Sequence, residues 1–397
     1  MISLWRFACL LWIASAALAP ADESKIAATF ELNRLKANLE KQAAEHRALG
    51  SKIADSATLR AHWEEFYTRH APDYAKALEL AQRNPEDSLA FDALTWIVVG
   101  PLGYNEATGP IIDRALELLA ENHAKDYRAA LLSEAVGRFQ VRSGKSEAFL
   151  RAVVEKNVNP NARGVALLRL GDLLAEHARI AELLRAPKPG KSAETWNQQL
   201  SEDRKKYFTG LNVAQFGREA ESCYEKALAD FGGVKQLGGV TVGESARGRL
   251  FKRRSLVVGK PLPELSGHTL DGQPIRISDY SGKAVVLFFW AAWCQPSIEL
   301  VPDLRALSQR MAGKPFVVVG VSGDFNLQNA QEAVEKHKLD WTTIYDGNGG
   351  RGPLALQWGI NSWPMLIVVD AAGIIRAVQD STESLDALVD SLLPARP

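Results

Sequence analysis

Between about residues 25 and 250 the apolar positions recur at helical spacing. Tyr74, Ala77, Leu78 and Ala81 stand at i, i+3, i+4 and i+7 on one face, and Asn84-Pro85 stops the run. Leu89 to Val99 predicts a second, strongly apolar helix closed by Gly100-Pro101. Ile111 to Ala120, Tyr127 to Val141, Glu147 to Val154, Val165 to Leu184 and Gly217 to Ala229 continue the series across short polar or Gly/Pro breaks. The pattern changes near Val257. Ile275 and Ile277 alternate as a strand does, and Ala284 to Trp290 is an unbroken apolar run, as a strand covered on both faces requires. Phe316 to Val321 and Met365 to Val369 repeat it, and the turn Ala371-Ala372-Gly373 leads into a further strand, Ile374 to Val378. Helical patterns at Pro296 to Met311, Leu327 to Lys338, Leu354 to Trp358 and Ser384 to Leu393 fill the gaps. The C-terminal part is therefore predicted to be a sheet with helices layered over it.

A length of 397 residues suits two domains, because a single core seldom grows so large. Arg6, the apolar run Phe7 to Leu18 and Ala19-Pro20-Ala21 before Asp22 read as a secretory signal with an A-x-A cleavage site. The run is shorter than the ~20 residues that span a bilayer. The expected organisation is a signal peptide at 1–21, an all-α domain at 22–250 and an α/β domain at 257–397. Cleavage would leave no membrane span and would place the chain beyond the inner membrane, in the periplasm or cell envelope. Only Cys223 and Cys294 would then remain, in a compartment where thiols tend to be oxidised. Forty-seven basic residues against 47 acidic ones give no argument for nucleic acid. Three cysteines and seven scattered histidines exclude a disulfide scaffold, a four-cysteine zinc site and an iron–sulfur cluster, so no metal and no cofactor is expected. In the helical half, Tyr74…Ala77…Ala81…Pro85 and Tyr224-Glu225-Lys226-Ala227-Leu228 resemble tetratricopeptide-like helical hairpins, with an irregular period. Such a stack implies a domain that binds or positions a protein partner.

The candidate chemistry follows the first buried strand. Trp293-Cys294-Gln295-Pro296-Ser297 opens a helix there, a position where unpaired backbone N–H groups generally favour the thiolate of a cysteine. Pro296 suits the first helical turn. Much later, Ser362-Trp363-Pro364 precedes another apolar strand, where a proline suits a cis bond in a tight turn. Phe289 to Ser297, Pro302 and Trp363-Pro364 together resemble the thioredoxin fold. More narrowly, residues 257–395 resemble the TlpA/ResA-like thiol–disulfide oxidoreductases, close to the AhpC/TSA group, and Leu270 to Lys283 fits that family's leading hairpin. The resemblance implies an extracytoplasmic protein acting on protein thiols or disulfides. It maps Cys294 to the attacking thiol, Pro364 to the cis-proline beside it and Pro302 to a kink in the active-site helix. Trp293, Trp363, Gln295 and Pro296 border the thiol and are the expected partner contacts.

The departures matter as much. The family's resolving cysteine is Ser297 here, so the usual intramolecular release of a mixed disulfide is lost and an external thiol is needed. Phe288 stands where related enzymes often bury a polar or acidic residue, and without a resolving thiol a buried charge there has no function to offset its desolvation. Ser297 reads either as a space-filler or as a hydroxyl donating to Cys294. The expected function is exchange or isomerisation through the single thiol Cys294; the alternative is a catalytically degenerate binding or scaffold protein. A peroxidase reading lacks hydroxyl and Arg donors in Trp290-Ala291-Ala292-Trp293. Cys223, on the stripe of Ala220 and Ala227, reads as a core cysteine before it reads as a bridge to Cys294. Gly347-Asn348-Gly349-Gly350-Arg351-Gly352 matches G-x-G-x-x-G, yet a turn is the better reading than a dinucleotide site, because little helix follows.

Overall fold

The computed structural model describes residues 23–53, 56–139, 143–185 and 200–393. The expected signal peptide lies outside them. No helix among the described residues is long and apolar enough to cross a membrane. The described residues divide into two compact units, those within 23–178 and 212–237, and those within 179–211 and 238–393.

The first unit is all helical. Its elements are α1 (Glu23–Gly50), α2 (Ser56–Arg83), α3 (Ser88–Val99), α4 (Gly109–Asn122), α5 (Ala129–Phe139), α6 (Lys145–Lys156), α7 (Pro160–Arg185, which runs on into the second unit) and α9 (Val213–Phe231). The second unit adds α8 (Glu202–Gly210) and α10 (Val242–Ser255). Consecutive helices pack as neighbours, α1 on α2, α2 on α3 and α3 on α4, while α4 also meets α6. At the start of α3 the Asp87 side chain accepts from Leu89 N at 3.2 Å, a side-chain cap that begins the helix soon after Pro85. Phe91, Leu94, Trp96, Ile97 and Val98 are buried along it, so α3 is covered on most sides. In α4, Ile112, Ala115, Leu116 and Leu119 line one buried stripe, the spacing that an amphipathic helix requires. Cys223 lies buried on α9, and burial pushes its thiol up to about 11, with Glu219 adding to the shift. That thiol stays protonated and unreactive at neutral pH.

The α/β part of the second unit starts with a hairpin, β1 (Ser266–His268) and β2 (Pro274–Arg276). Five strands then form one sheet: β3 (Ala284–Trp290), β4 (Phe316–Ser322), β5 (Thr342–Tyr345), β6 (Met365–Val369) and β7 (Ile375–Gln379). Their order is β5-β4-β3-β6-β7. β4 is parallel to β3 and β5, whereas β6 is antiparallel to β3 and β7. Every residue of the central strand β3 is buried, which explains its unbroken apolar run. Val285, Leu287 and Phe289 face one core with Val319, Val321, Ile367 and Trp358. Val286, Phe288 and Trp290 face the other with Leu304, Leu307, Val318, Trp341 and Val389. Phe288 is thus sealed between Trp290 and Trp341, at ring separations of 6.3 and 6.4 Å, where a carboxylate would meet no solvent.

The helices of this part are α11 (Gln295–Glu299), α12 (Val301–Arg310), α13 (Leu327–His337), α14 (Pro353–Gln357) and α15 (Leu385–Leu392). The expected helix from Pro296 to Met311 is divided at Leu300. Pro302 has no N–H for the carbonyl of Ile298, so the ladder is interrupted there and resumes with Leu304 N on Leu300 O at 3.1 Å.

Candidate functional site

The central strand delivers the thiol. β3 ends at Trp290, Ala291–Trp293 form a turn, and Cys294 is the N-cap of α11. Cys294 N donates to Ala291 O at 3.0 Å, and Cys294 O accepts from Ser297 N at 2.9 Å. The thiol donates to the carbonyl oxygen of Trp363 at 3.5 Å, and the Trp363–Pro364 peptide is cis. The sequence-predicted pair, Cys294 and Pro364, is therefore brought together across the β3–β6 ladder. Cys294 retains 9% of its surface, so a partner sulfur has to approach it on a narrow front.

The other expected contacts divide by exposure. Gln295 and Pro296 are exposed on the first turn of α11, and Gln295 Nε2 donates to Glu299 Oε1 at 3.5 Å. Trp293 and Trp363 are half-buried and meet edge to face at 5.9 Å. Ser297 is fully buried, and its hydroxyl finds no hydrogen-bond partner among the described residues. The reading of Ser297 as a donor to Cys294 is therefore not the arrangement seen. The thiol pairs with Trp363 instead.

Two residues of this site carry no signal in the sequence. Asp324, in the loop after β4, is buried and accepts from Ala292 N at 2.8 Å and from the Ser322 hydroxyl at 2.7 Å. Burial pushes its carboxyl up, against the pull of those hydrogen bonds. It ties the turn before the thiol to the neighbouring strand, and Trp293 Nε1 donating to Gly323 O at 3.0 Å makes a second tie. Phe325, 61% exposed, stands 6.3 Å from Trp293 and extends the two tryptophans into one aromatic surface. An acid and an apolar residue in Ser322-Gly323-Asp324-Phe325-Asn326 read as an ordinary turn, which is why neither stands out.

The glycine-rich loop belongs to the same place. A Cβ on Gly349 would run into the Phe325 ring, one on Gly350 would lie 3.0 Å from Trp363 Nε1, and one on Gly323 2.5 Å from the Trp363 ring. Gly349 and Gly350 also hold φ of 60° and 80°, a region that side chains disfavour. The loop is a seat for the aromatic surface. Its helix, α14, has only five residues, and Asp346 already accepts from Leu354 N at 2.7 Å and Ala355 N at 2.8 Å. A carboxylate thus occupies the helix start where a dinucleotide would place its pyrophosphate.

Burial pushes the Asp346 carboxyl up to about 6, opposed by the two N–H donors. A raised carboxyl favours the protonated fold, so its contribution is complete below the unfolded value near 3.8 and fades as pH rises through about 6. Urea denaturation between pH 4 and 8 should show about 2 kcal/mol of this loss in the native chain and little of it in Asp346→Asn.

Residues 258–378 match the AhpC/TSA family. They form an AhpC/TSA-family domain. Among curated relatives, the chain is 26% identical over 126 residues to the thioredoxin-like protein YneN of Bacillus subtilis, covering 31% of this chain and 72% of YneN. It is 22% identical over 151 residues to the thiol-disulfide oxidoreductase ResA of Bacillus thuringiensis, covering 37% of this chain and 86% of ResA. Among solved structures, the thioredoxin domain of a thiol-disulfide oxidoreductase from Bacteroides vulgatus is 26% identical, with a TM-score of 0.33, covering 35% of this chain and all of that one. The curated relatives matched are a thioredoxin-like protein and thiol-disulfide oxidoreductases, each spanned for most of its length by the match. Cys294, the cis-proline and the aromatic surface all lie within the AhpC/TSA domain.

Proposed function

We propose that the AhpC/TSA domain acts through Cys294 alone, by forming and releasing mixed disulfides with protein partners outside the cytoplasm. The observation that carries the reading is the seating of the Cys294 thiol 3.5 Å from the carbonyl before cis-Pro364, with a serine at the position of a second thiol. In the forward step the Cys294 thiolate attacks one sulfur of a partner disulfide. A Cys294–partner disulfide forms, and the other partner sulfur leaves as a thiolate. Release follows when a second thiol, from the same partner or a small external thiol, attacks the partner sulfur of that bond and expels Cys294. If the second thiol belongs to the partner, the outcome is isomerisation with no net redox change.

The surface supports a protein partner. Pro364 and Trp363 would lie alongside an extended segment bearing the reacting sulfur, with Trp293, Phe325, Gln295 and Pro296 around it; aromatic residues at a contact surface are frequent binding anchors. The helical unit would recruit or orient that partner. The leader pattern at 6–21 supports export to the periplasm or cell envelope; a mature N-terminus at Asp22, read by intact mass, is the expected result.

Incubation with oxidised glutathione, followed by intact-mass analysis, tests the thiol. A single adduct is expected on the native chain and none on Cys294→Ala, with Cys223 unmodified in both. An adduct of equal yield on Cys294→Ala sinks the proposal. The burial of Phe288 and the missing second cysteine favour one other reading, a scaffold without catalysis. Under it, capture of cell-envelope proteins would be the same for Cys294→Ala and the native chain.

A further inference from the structure

β4 carries Gly320 between Val318 and Ser322, level with Phe288 of β3 and Thr343 of β5. A Cβ at this position would lie 2.9 Å from Thr343 Oγ1 and 3.1 Å from both Trp290 Nε1 and Trp341 Nε1. Trp290, Trp341 and Thr343 are 0%, 8% and 4% exposed. None of the three polar atoms has a hydrogen-bond partner among the described residues. Three orphaned polar atoms from two strands and a strand entry therefore converge on the space above one glycine. Native interiors seldom leave buried polar groups unsatisfied, and here three such groups share one location.

The chemistry of the atoms narrows what fits. Indole N–H groups only donate, so Trp290 and Trp341 cannot satisfy each other, and the occupant has to accept from both. The Thr343 hydroxyl can accept in turn. Phe288 lies against both indoles and closes the space with an aromatic wall, which disfavours an ion without a counter-charge. We propose that a single internal water molecule sits over Gly320, accepting from Trp290 Nε1 and Trp341 Nε1 and donating to Thr343 Oγ1. Three hydrogen bonds are what an internal water typically makes. This water would join the end of β3 to β5 beneath the turn that carries Cys294. Gly320 is required because a methyl group would fill the space the water needs.

The test is a water-selective NOE and ROE measurement on the 15N-labelled, signal-free chain, read at the indole protons of Trp290 and Trp341. Both are expected to show cross-peaks at the water frequency with the sign of a long-lived bound molecule. Gly320→Ala should abolish both cross-peaks, and Thr343→Val should weaken both. Absence of both cross-peaks in the folded native chain overturns the proposal without reference to any variant. Displacement of the two indole resonances on exchanging chloride for bromide also overturns it, in favour of an anion.

Discussion

Ser297→Cys is expected to raise the rate of mixed-disulfide release on the order of 100-fold when external thiol is scarce. The reason is proximity. Ser297 N already closes the turn on Cys294 O at 2.9 Å, so a thiol at this position attacks within one helical turn and not from solution. Burial favours the exchange as well, since the Ser297 hydroxyl is wholly enclosed without a partner, and such a group costs about 1–3 kcal/mol. A thiol is more readily buried. The variant should therefore unfold at the same or a higher urea concentration than the native chain. The measurement is single-turnover release of a pre-formed glutathione adduct, followed by mass at fixed low thiol. Release no faster than in the native chain would mean that the two positions do not face each other in the reacting state.

The second large effect is expected at Asp324. Replacing it by alanine leaves the half-buried Ala292 N–H and the buried Ser322 hydroxyl without this acceptor, a loss of about 1–3 kcal/mol. It also frees the turn two residues before Cys294, so adduct formation at that thiol should slow together with the stability loss. Asp324→Asn keeps an oxygen for Ala292 N and a polar group for Ser322. Because burial already raises the Asp324 carboxyl, removing its charge in this way should cost little at neutral pH. The pair of variants separates the hydrogen bond from the charge. Chemical denaturation and timed alkylation of Cys294 give the two readouts. Equal losses in both variants would place the effect in the charge.

The fold is legible in the chain where burial is two-sided or a motif is compact. β3 and β6 are apolar at every position, and β4 nearly so, because cores lie on both faces of the sheet. A short unbroken run of Val, Ile and Phe is what such a strand demands. Cys294 and Pro364 are legible as a pair only through the motif around each, since nothing in spacing alone joins residues across two strands. Helix α10 is less visible. Its start is a capping box, with Thr241 Oγ1 accepting from Glu244 N at 3.1 Å and Glu244 Oε2 accepting from Thr241 N at 2.7 Å. Its buried row, Val242, Ala246 and Leu250, is narrow and set among arginines and glycines, so it draws little attention. Asp324 escapes notice for a different reason. Its burial depends on β4 ending beside the thiol turn, a property of the fold that no local pattern expresses. The G-x-G-x-x-G match shows the converse, a local pattern whose glycines serve side chains far away in the chain.

Those glycines have a practical consequence for anyone mapping the site by mutation. Gly323, Gly349 and Gly350 contribute by having nothing where three aromatic rings need room. A scan that trims residues to alanine prunes atoms everywhere else, but at these positions it adds them. Damage recorded there would measure crowding, and the same scan would leave untouched the one kind of contact the loop provides.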